Sequence, residues 1–172
     1  MEAKNNGQGI SEEKNNRREL SEKTDEQQKM AHMIESRMAM LRRLEGDALN
    51  NRIHPEFVSC DQIERTLVLR AKTEDWMKNP MNSLHGGISA SYLDFAMGVL
   101  CFYFSGTLSP TIHMEQNFLR PIPTGEPILI RSHLVKPGIS VCFAEAQICL
   151  ESDPDNPCVT GSGTYFSGKG KG

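Results

Sequence analysis

The sequence predicts an α+β fold in which an antiparallel sheet wraps around one long central helix. Residues 88–104 form an apolar run without proline, long enough for a helix that is buried on nearly every face. Strand-like segments follow it, separated by breaks rich in glycine and proline. One long helix followed by consecutive strands is typical of a sheet packed against a helix.

The elements around this helix follow from hydrophobic spacing. Residues 62–71 alternate between apolar and polar side chains and predict a first strand, which a loop over residues 72–84 joins to the helix. The helix is expected to end by Ser105-Gly106. The later strands are predicted over residues 111–120, 127–135, 140–150 and 159–166, with breaks at 121–125, 137–138 and 153–157.

The N-terminal part of the chain is predicted to precede this domain as a charged tail and then a helix, whose methionine-rich face is expected to pack on the domain, with docking of a partner or binding of an acyl chain as the alternatives. Residues 1–29 are rich in charge and poor in apolar side chains, which predicts a flexible charged tail. Apolar residues then recur at helical spacing and predict an amphipathic helix over residues 30–51. The domain itself is expected to occupy residues 52–167, with a frayed C-terminus over residues 168–172.

Composition narrows the possible functions. The net charge is −3 and there is no basic run, which argues against general nucleic-acid binding. The five cysteines lack zinc-site spacing, so buried, reduced thiols and no metal site are expected. The N-terminus has no signal-peptide core, and the apolar run suits a protein core better than a membrane span. A cytoplasmic protein without membrane contact is therefore expected.

Asp94 is the leading functional candidate because it is a carboxylate inside the apolar run. Apart from histidines, it is the only charged side chain between Lys78 and Glu115. An ionised carboxylate is rarely buried without a partner or a task. The structural alternative is a buried aspartate whose neighbouring hydroxyls satisfy its hydrogen bonds.

The segment His85-Gly86-Gly87 immediately before the run provides a second candidate. The first N–H groups of a helix have no intrahelical acceptor, so they suit a carbonyl oxygen that gathers negative charge. Gly86 precedes Asp94 by eight residues, about 12 Å along a helix at ~1.5 Å per residue. Two antiparallel copies of the helix would bring one chain's Gly86 to the other's Asp94, which predicts a site shared across a two-fold dimer.

These residues carry a family resemblance. Asn79, His85-Gly86-Gly87 and Asp94, followed by Thr111 and a strand that ends in Phe118-Leu119-Arg120-Pro121, resemble the hotdog-fold acyl-CoA thioesterases. The branch that contains phenylacetyl-CoA and 4-hydroxybenzoyl-CoA thioesterases is the most similar, over about residues 59–166. The resemblance implies the hotdog fold and hydrolysis of an acyl-CoA to free acid and coenzyme A, with aryl and medium-chain acyl groups as the candidates. It also implies a homodimer or homotetramer and no bound cofactor or metal.

The resemblance also assigns roles to residues. Asp94 would act as general base or as nucleophile, and the Gly86 N–H would bind the thioester oxygen. Thr111 would help to hold the attacking water, although a threonine in a strand ordinarily serves packing. His85 would orient the loop, or simply bond to backbone at the start of the helix.

The asparagines and the second glycine are weaker candidates. Asn79 matches the family position that helps to place the carbonyl or the water, and Asn82 is its nearest rival. Either could instead cap the loop, because asparagine favours turns. Gly87 and Asn82 are expected to contact substrate. Three basic residues are candidates for the phosphates of coenzyme A, with a solvated surface position as the alternative for each: Arg120, Lys136 and Lys169.

Two other functions remain open from the sequence. A protein that binds and senses acyl-CoA without hydrolysing it would account for the charged N-terminal extension, but it would not need a buried base. A hydratase or dehydratase of the same fold is expected to carry Asp-x4-His, and the residue five positions after Asp94 is Val99.

Overall fold

The computed structural model describes residues 8–46 and 48–168, with the side chains of the first helix described from Thr24 to Arg43. Its elements are three α-helices and six strands over these residues, with one 3-10 turn at Asp75–Met77. In chain order they are α1 Gln8–Glu45, α2 Leu49–Ile53, β1 Glu56–Asp61, β2 Thr66–Lys72, α3 Gly86–Ser105, β3 Thr111–Phe118, β4 Pro127–Lys136, β5 Val141–Leu150 and β6 Asp153–Phe166.

The strands form one six-stranded antiparallel sheet in the order β1-β2-β4-β5-β6-β3. Side chains in β2, β4 and β5 alternate between buried and partly exposed, as expected for a sheet with one face against a core. That buried face packs against α3, which contacts five of the strands. The predicted α+β arrangement, a sheet around one long helix, is confirmed.

Helix α3 begins and ends close to the predicted positions. His85 is its N-cap, and Gly106 ends it in the left-handed conformation at φ 70°. Burial is one-sided, however, so the expectation of a helix buried on nearly every face is wrong. Leu93 and Met97 are fully buried against the sheet, whereas Asp94 and Phe95 on the other side are only partly buried. By length and composition α3 could also cross a membrane, but half of it is buried inside this domain.

The N-terminal helix differs from the prediction at both ends. Helix α1 already begins at Gln8, so residues 8–29 are helical rather than a flexible tail, and residues 1–7 lie outside the described part of the chain. Glutamate, lysine, arginine and glutamine are strong helix formers that need no burial, which explains a helix in this charged segment. At the other end Gly46 has φ +56°, which ends α1 and makes α2 a separate helix.

Two strand boundaries also differ from the prediction. The predicted first strand over residues 62–71 is a turn followed by β2, and β1 precedes it. The Asp61 carboxylate forms this turn by accepting the N–H groups of Ile63 and Glu64, each at 2.8 Å. Strand β6 starts at Asp153 and includes the segment predicted as a break. Register shifts against β5 accommodate its prolines, as β-bulges allow.

Helix α1 is fastened to the domain along its second half. Met30, Ile34 and Met38 are almost completely buried in the core, whereas Met33 on the same helix is 49% exposed. The Gln27 side chain donates to the backbone oxygen of Cys60 in β1. The predicted amphipathic face is therefore part of the core of this domain.

All five cysteines are buried free thiols, as predicted. Burial raises the pKa of Cys60 to about 11, and the nearby negative charges of Asp61 and Glu35 act in the same direction. Burial likewise raises the pKa of Cys101. These thiols are therefore protonated and shielded, as expected for side chains that serve packing.

A pair of methionines tests the docking of α1. Replacing the buried Met30 by alanine removes core contacts, so we expect Met30→Ala to lower the free energy of unfolding by about 2–5 kcal/mol. Met33→Ala, at an exposed position of the same helix, is the matched control and should change it by about 0.5 kcal/mol or less. Chemical unfolding measures both values, and equal losses in the two variants would contradict the packing of α1 described above.

Candidate active site

Asp94 is held by two hydroxyl groups from neighbouring strands. Thr111 Oγ1 donates to Asp94 Oδ1 at 2.6 Å, and the Tyr165 hydroxyl donates to the same oxygen at 3.0 Å. The other carboxylate oxygen, Oδ2, has no hydrogen-bond donor among the described residues. Asp94 is therefore fixed in orientation through one oxygen, while the second remains able to accept a proton or bind a ligand.

Tyr165 is a site residue that the sequence did not reveal. A tyrosine in a strand reads as an ordinary β-former, and Tyr165 lies 71 residues after Asp94. The sheet makes the connection, because Thr111 at the start of β3 pairs directly with Tyr165 near the end of β6. Burial raises the pKa of Tyr165, and the negative charge of Asp94 raises it further, so the phenol stays a hydrogen-bond donor.

A cavity of about 180 Å³ lies beside Asp94. Its walls come from all three helices, from the segment that leads into β3, and from β3 and β6, and its lining combines apolar and aromatic side chains with polar ones. Besides Asp94, Thr111 and Tyr165, the lining residues are Arg37, Leu41, Asn50, Phe95, Gly98, Val99, Phe102, Leu108 and Ser109.

The start of α3 presents one unoccupied N–H group. The His85 ring accepts a hydrogen bond from the Gly87 N–H through Nδ1 at 2.9 Å. The His85 carbonyl accepts the N–H groups of Ile88 and Ser89. The Gly86 N–H has no acceptor among the described residues. The Gly86 N–H is therefore available to a ligand, whereas the N–H of Gly87 is already used by the cap; the donation of Gly86 to a substrate stays a prediction.

This geometry gives His85 a local contact. Because its Nδ1 accepts a hydrogen bond, the proton of the neutral ring is assigned to Nε2. The contact agrees with the alternative of a helix-start histidine bonded to backbone. A role for His85 in orienting the site stays a prediction.

A second cavity, about 580 Å³, lies beside Gly86. The Phe118 ring covers the Gly86 backbone so closely that an added Cβ would lie 2.9 Å from Phe118 Cζ. The lining is largely apolar and comes from the loop before α3 and the end of β3, and it comprises Asn79, Met81, Ser83, Leu84, Gly86, Ser89, Phe118, Leu119, Arg120, Pro121, Ile122 and Val159.

Asn79 lines this cavity, but its side chain is used within its own loop. Its amide nitrogen donates to Ser83 Oγ at 3.0 Å, and its oxygen accepts the N–H groups of Met81 and Ser83 at 2.9 and 3.2 Å. Asn82 is exposed, has a left-handed backbone conformation at φ 58°, and lines neither cavity. Gly87 is also exposed and lines neither cavity. The structure therefore does not bring Asn82 and Gly87 to the cavities that hold Gly86 and Asp94.

Within one chain the two halves of the predicted site remain apart. Gly86 and Asp94 line different cavities and lie about 12 Å apart along the same helix, at ~1.5 Å per residue. A single small ligand group cannot contact both residues in one copy of the chain.

Arg120, one of the three basic residues predicted to meet the phosphates of coenzyme A, lines the Gly86 cavity. Arg120 forms an ion pair with Asp153 at 3.0 Å and also donates to the Asn156 carbonyl, so it is not free for a phosphate as it stands. Lys136 is exposed, and Lys169 lies outside the described residues. Across the described ranges, no three His, Cys, Asp or Glu side chains converge as metal ligands.

Comparisons with known proteins find similarity to thioesterases. The model of the Thioesterase superfamily matches residues 81–155. Acyl-coenzyme A thioesterase 13 of Mus musculus is 29% identical over 84 residues, which are 48% of this chain and 59% of that protein. The chain thus spans less than two thirds of the length of this curated relative.

Solved structures extend the match to the whole fold. The E. coli PaaI protein from the phenylacetic acid degradation operon has a TM-score of 0.68 at 20% identity, over 82% of this chain and 97% of that one. A Streptococcus mutans protein solved bound to acetyl-CoA has a TM-score of 0.60 at 18% identity, over 67% of this chain and 92% of that one. The hotdog fold and the resemblance predicted from the sequence are confirmed.

Tyrosine titration tests the burial of Tyr165 and its contact with Asp94. Burial raises the pKa of all three tyrosines, Tyr92, Tyr103 and Tyr165. We therefore expect little tyrosinate in the folded protein at about pH 10, where the unfolded chain is half ionised. The stability that the protonated tyrosines give to the folded protein is fully present below the pKa of tyrosine in the unfolded chain. It is lost as pH rises from that value through the raised pKa of the folded protein.

Ultraviolet absorbance of tyrosinate in folded and unfolded protein measures this difference. Tyr165→Phe should remove one of the tyrosines that resists ionisation and leave the other two unchanged. A folded protein whose tyrosines ionise together near pH 10 would contradict the arrangement around Asp94.

Proposed function

We propose that this chain, which has the fold and the signature residues of the hotdog-fold acyl-CoA thioesterases, hydrolyses an acyl-CoA to the free acid and coenzyme A. The proposal depends on two groups of the same helix. The Gly86 N–H has no acceptor, and the second oxygen of the Asp94 carboxylate has no donor, among the described residues. The S. mutans neighbour bound to acetyl-CoA supports an acyl-CoA as the ligand class.

In this proposal the Gly86 N–H binds the thioester carbonyl oxygen, where the positive end of the helix dipole stabilises developing negative charge. Asp94 Oδ2 takes a proton from water as the water oxygen attacks the carbonyl carbon. The carbon–sulfur bond then breaks, and coenzyme A leaves as a thiolate, which needs little help because thiols are acidic. Asp94 could instead attack the carbonyl carbon itself, with water cleaving the resulting anhydride.

Thr111 and Tyr165 serve either route in the same way. Both donate to Oδ1, so they hold the carboxylate plane and direct Oδ2 away from the strands. Thr111 itself is thereby engaged with Asp94. Its proposed contact with the attacking water would use the remaining capacity of its hydroxyl oxygen as an acceptor.

The active form in this proposal is a dimer formed through β3. This strand is at the edge of the sheet and exposes apolar side chains, among them Ile112 and Phe118 at 57% and 58% exposure. An unpaired apolar edge is a ready template for a second strand. Antiparallel pairing of β3 with its copy about the strand centre would set Thr111 opposite the partner's Phe118.

That pairing would assemble the site. Thr111 contacts Asp94, and Phe118 covers Gly86, so the two ends of β3 mark the two halves. The antiparallel register brings Asp94 of one chain towards the partner's Gly86. The two-fold axis then gives the dimer two equivalent sites of this kind. Further pairing into a tetramer, and a cytoplasmic location without a metal or cofactor, complete the proposal.

The sensor remains the second candidate function, because both cavities and the long α1 are compatible with binding alone. Hydratase chemistry has less support, since the position where that class carries its histidine is the buried Val99.

Hydrolysis assays separate these functions. With a panel of short, medium, long and aryl acyl-CoAs, we expect one class to be hydrolysed and Asp94→Asn to lower kcat by about 10²–10⁴, the contribution of a general base. Asp75→Asn, at a largely exposed carboxylate outside both cavities, is the control and should keep full activity. Tight binding of acyl-CoA without hydrolysis by the unaltered protein would support the sensor instead.

Gly86 offers a test of the oxyanion contact. Proline is tolerated at the first helical position, and His85 already has the extended conformation that a following proline requires. Gly86→Pro removes the N–H, whereas Gly86→Ala keeps it and adds a similar contact with Phe118. We expect the proline variant to lose about 10²–10³ in kcat relative to the alanine variant. Equal rates would exclude the Gly86 N–H as donor.

Mixed dimers test the sharing of the site. Co-assembling Gly86→Pro and Asp94→Asn chains should create one intact site in each mixed dimer, giving about a quarter of the unmodified activity at random assembly. Each variant alone should be nearly inactive. Absence of recovery in verified mixed dimers would place Gly86 and Asp94 of the same chain in one site.

A further inference from the structure

We propose that Arg37 binds a carboxylate at the far end of the acyl group, so that the preferred substrates are short acyl-CoAs with a second, terminal carboxylate. This inference rests on the proposed function, because it assigns the acyl pocket of the same site. It makes helix α1 a determinant of specificity in addition to its role in the core.

Arg37 reaches the Asp94 cavity from α1. Its neighbours Ile34 and Met38 are buried in the core, so the backbone that carries Arg37 is fixed to the domain. The guanidinium lies over the Phe102 ring, 4.3 Å from the ring centre, and both residues line the cavity that holds Asp94. The side chain is thus held in place by a cation–π contact.

The guanidinium has no anionic partner in the described chain. Among the described residues its one polar contact is to the sulfur of Met40 at 3.6 Å, and this sulfur is a weak acceptor. No carboxylate of a described side chain lies within 4.0 Å of the guanidinium, and Asp94 in the same cavity is not paired with it. A partly buried guanidinium without a carboxylate favours an anionic ligand that can accept two parallel hydrogen bonds.

The distribution of charge gives the ligand an orientation. In the proposed reaction the thioester carbon must lie next to Asp94, so the rest of the acyl group extends along the apolar wall formed by Phe95, Val99 and Leu108. Arg37 lines the same cavity without pairing with Asp94 and supplies its positive charge. A terminal carboxylate there neutralises the guanidinium, whereas a plain alkyl end would cover it and remove it from water.

The cavity volume is comparable to that of a short acyl group. At roughly 30 Å³ for each water-sized group, a volume of about 180 Å³ holds about six non-hydrogen atoms. The part of a glutaryl group beyond its thioester carbonyl has this size. Glutaryl-CoA and pentanoyl-CoA have the same number of carbons and differ in the terminal carboxylate, so they form a matched pair of probes.

The test compares kcat/KM for these two thioesters in four forms of the protein. We expect the unmodified protein to favour glutaryl-CoA by about tenfold or more, the effect of one charge-assisted contact. Arg37→Gln should lose that preference by raising KM for glutaryl-CoA, with hydrolysis of pentanoyl-CoA unchanged or faster. Arg37→Lys should keep part of the preference, because it retains the charge without the planar fork.

Arg52→Gln is the matched control. Arg52 also stacks on an aromatic ring, 4.7 Å from the centre of the Trp76 ring, but it lines neither the Asp94 nor the Gly86 cavity. Its replacement should leave the ratio of the two kcat/KM values unchanged. If Arg37→Gln slows both thioesters equally, or leaves the ratio intact, Arg37 serves packing only and the inference is overturned.

Failure of the proposed hydrolysis is distinguishable from failure of this inference. If neither thioester is hydrolysed, calorimetric binding of the same pair to the unmodified and Arg37→Gln proteins replaces the rate measurement. Tighter binding of glutaryl-CoA that disappears in Arg37→Gln would support the carboxylate site on a non-catalytic protein. Equal binding of both probes by the unmodified protein would refute it.

Discussion

A rigid helix fixes the separation of the two groups on which the proposed chemistry depends. Gly86 lies in the first turn of α3 and Asp94 two turns later, so the helix that positions both also keeps them apart. Neither residue can move towards the other without breaking the packing of Leu93 and Met97 on the sheet. The proposed two-fold pairing of chains would solve this problem without deforming α3, because the second copy would present the same two groups in reverse order.

The sheet supplies the matching constraint. Among the described strands β3 pairs only with β6, so its other edge is open in this part of the chain. Its pairing with β6 aligns Thr111 with Tyr165, and both hydroxyls reach the same oxygen of Asp94. One strand therefore orients the carboxylate at one end, covers Gly86 with Phe118 at the other, and offers the edge through which a second chain could join them.

The sequence was informative where a residue type conflicts with its surroundings. A carboxylate in an apolar helix and glycines before that helix pointed to Asp94 and Gly86, and regular alternation located most of the strands. Tyr165 gave no such signal, because its partnership with Asp94 depends on a strand register between distant segments. Arg37 was equally hidden, since only tertiary packing places α1 against α3. The helix at the N-terminus begins earlier than predicted, because its charged residues favour helix without requiring burial.

The burial of the cysteines has a consequence for the proposed reaction, which releases a free thiol at every turnover. Coenzyme A can form disulfides with protein thiols only where a thiolate is accessible for exchange. Here all five cysteines are enclosed, and the raised pKa of Cys60 and Cys101 keeps both protonated. The protein could therefore work in the presence of its own product, and of oxidised coenzyme A, without becoming covalently trapped by either.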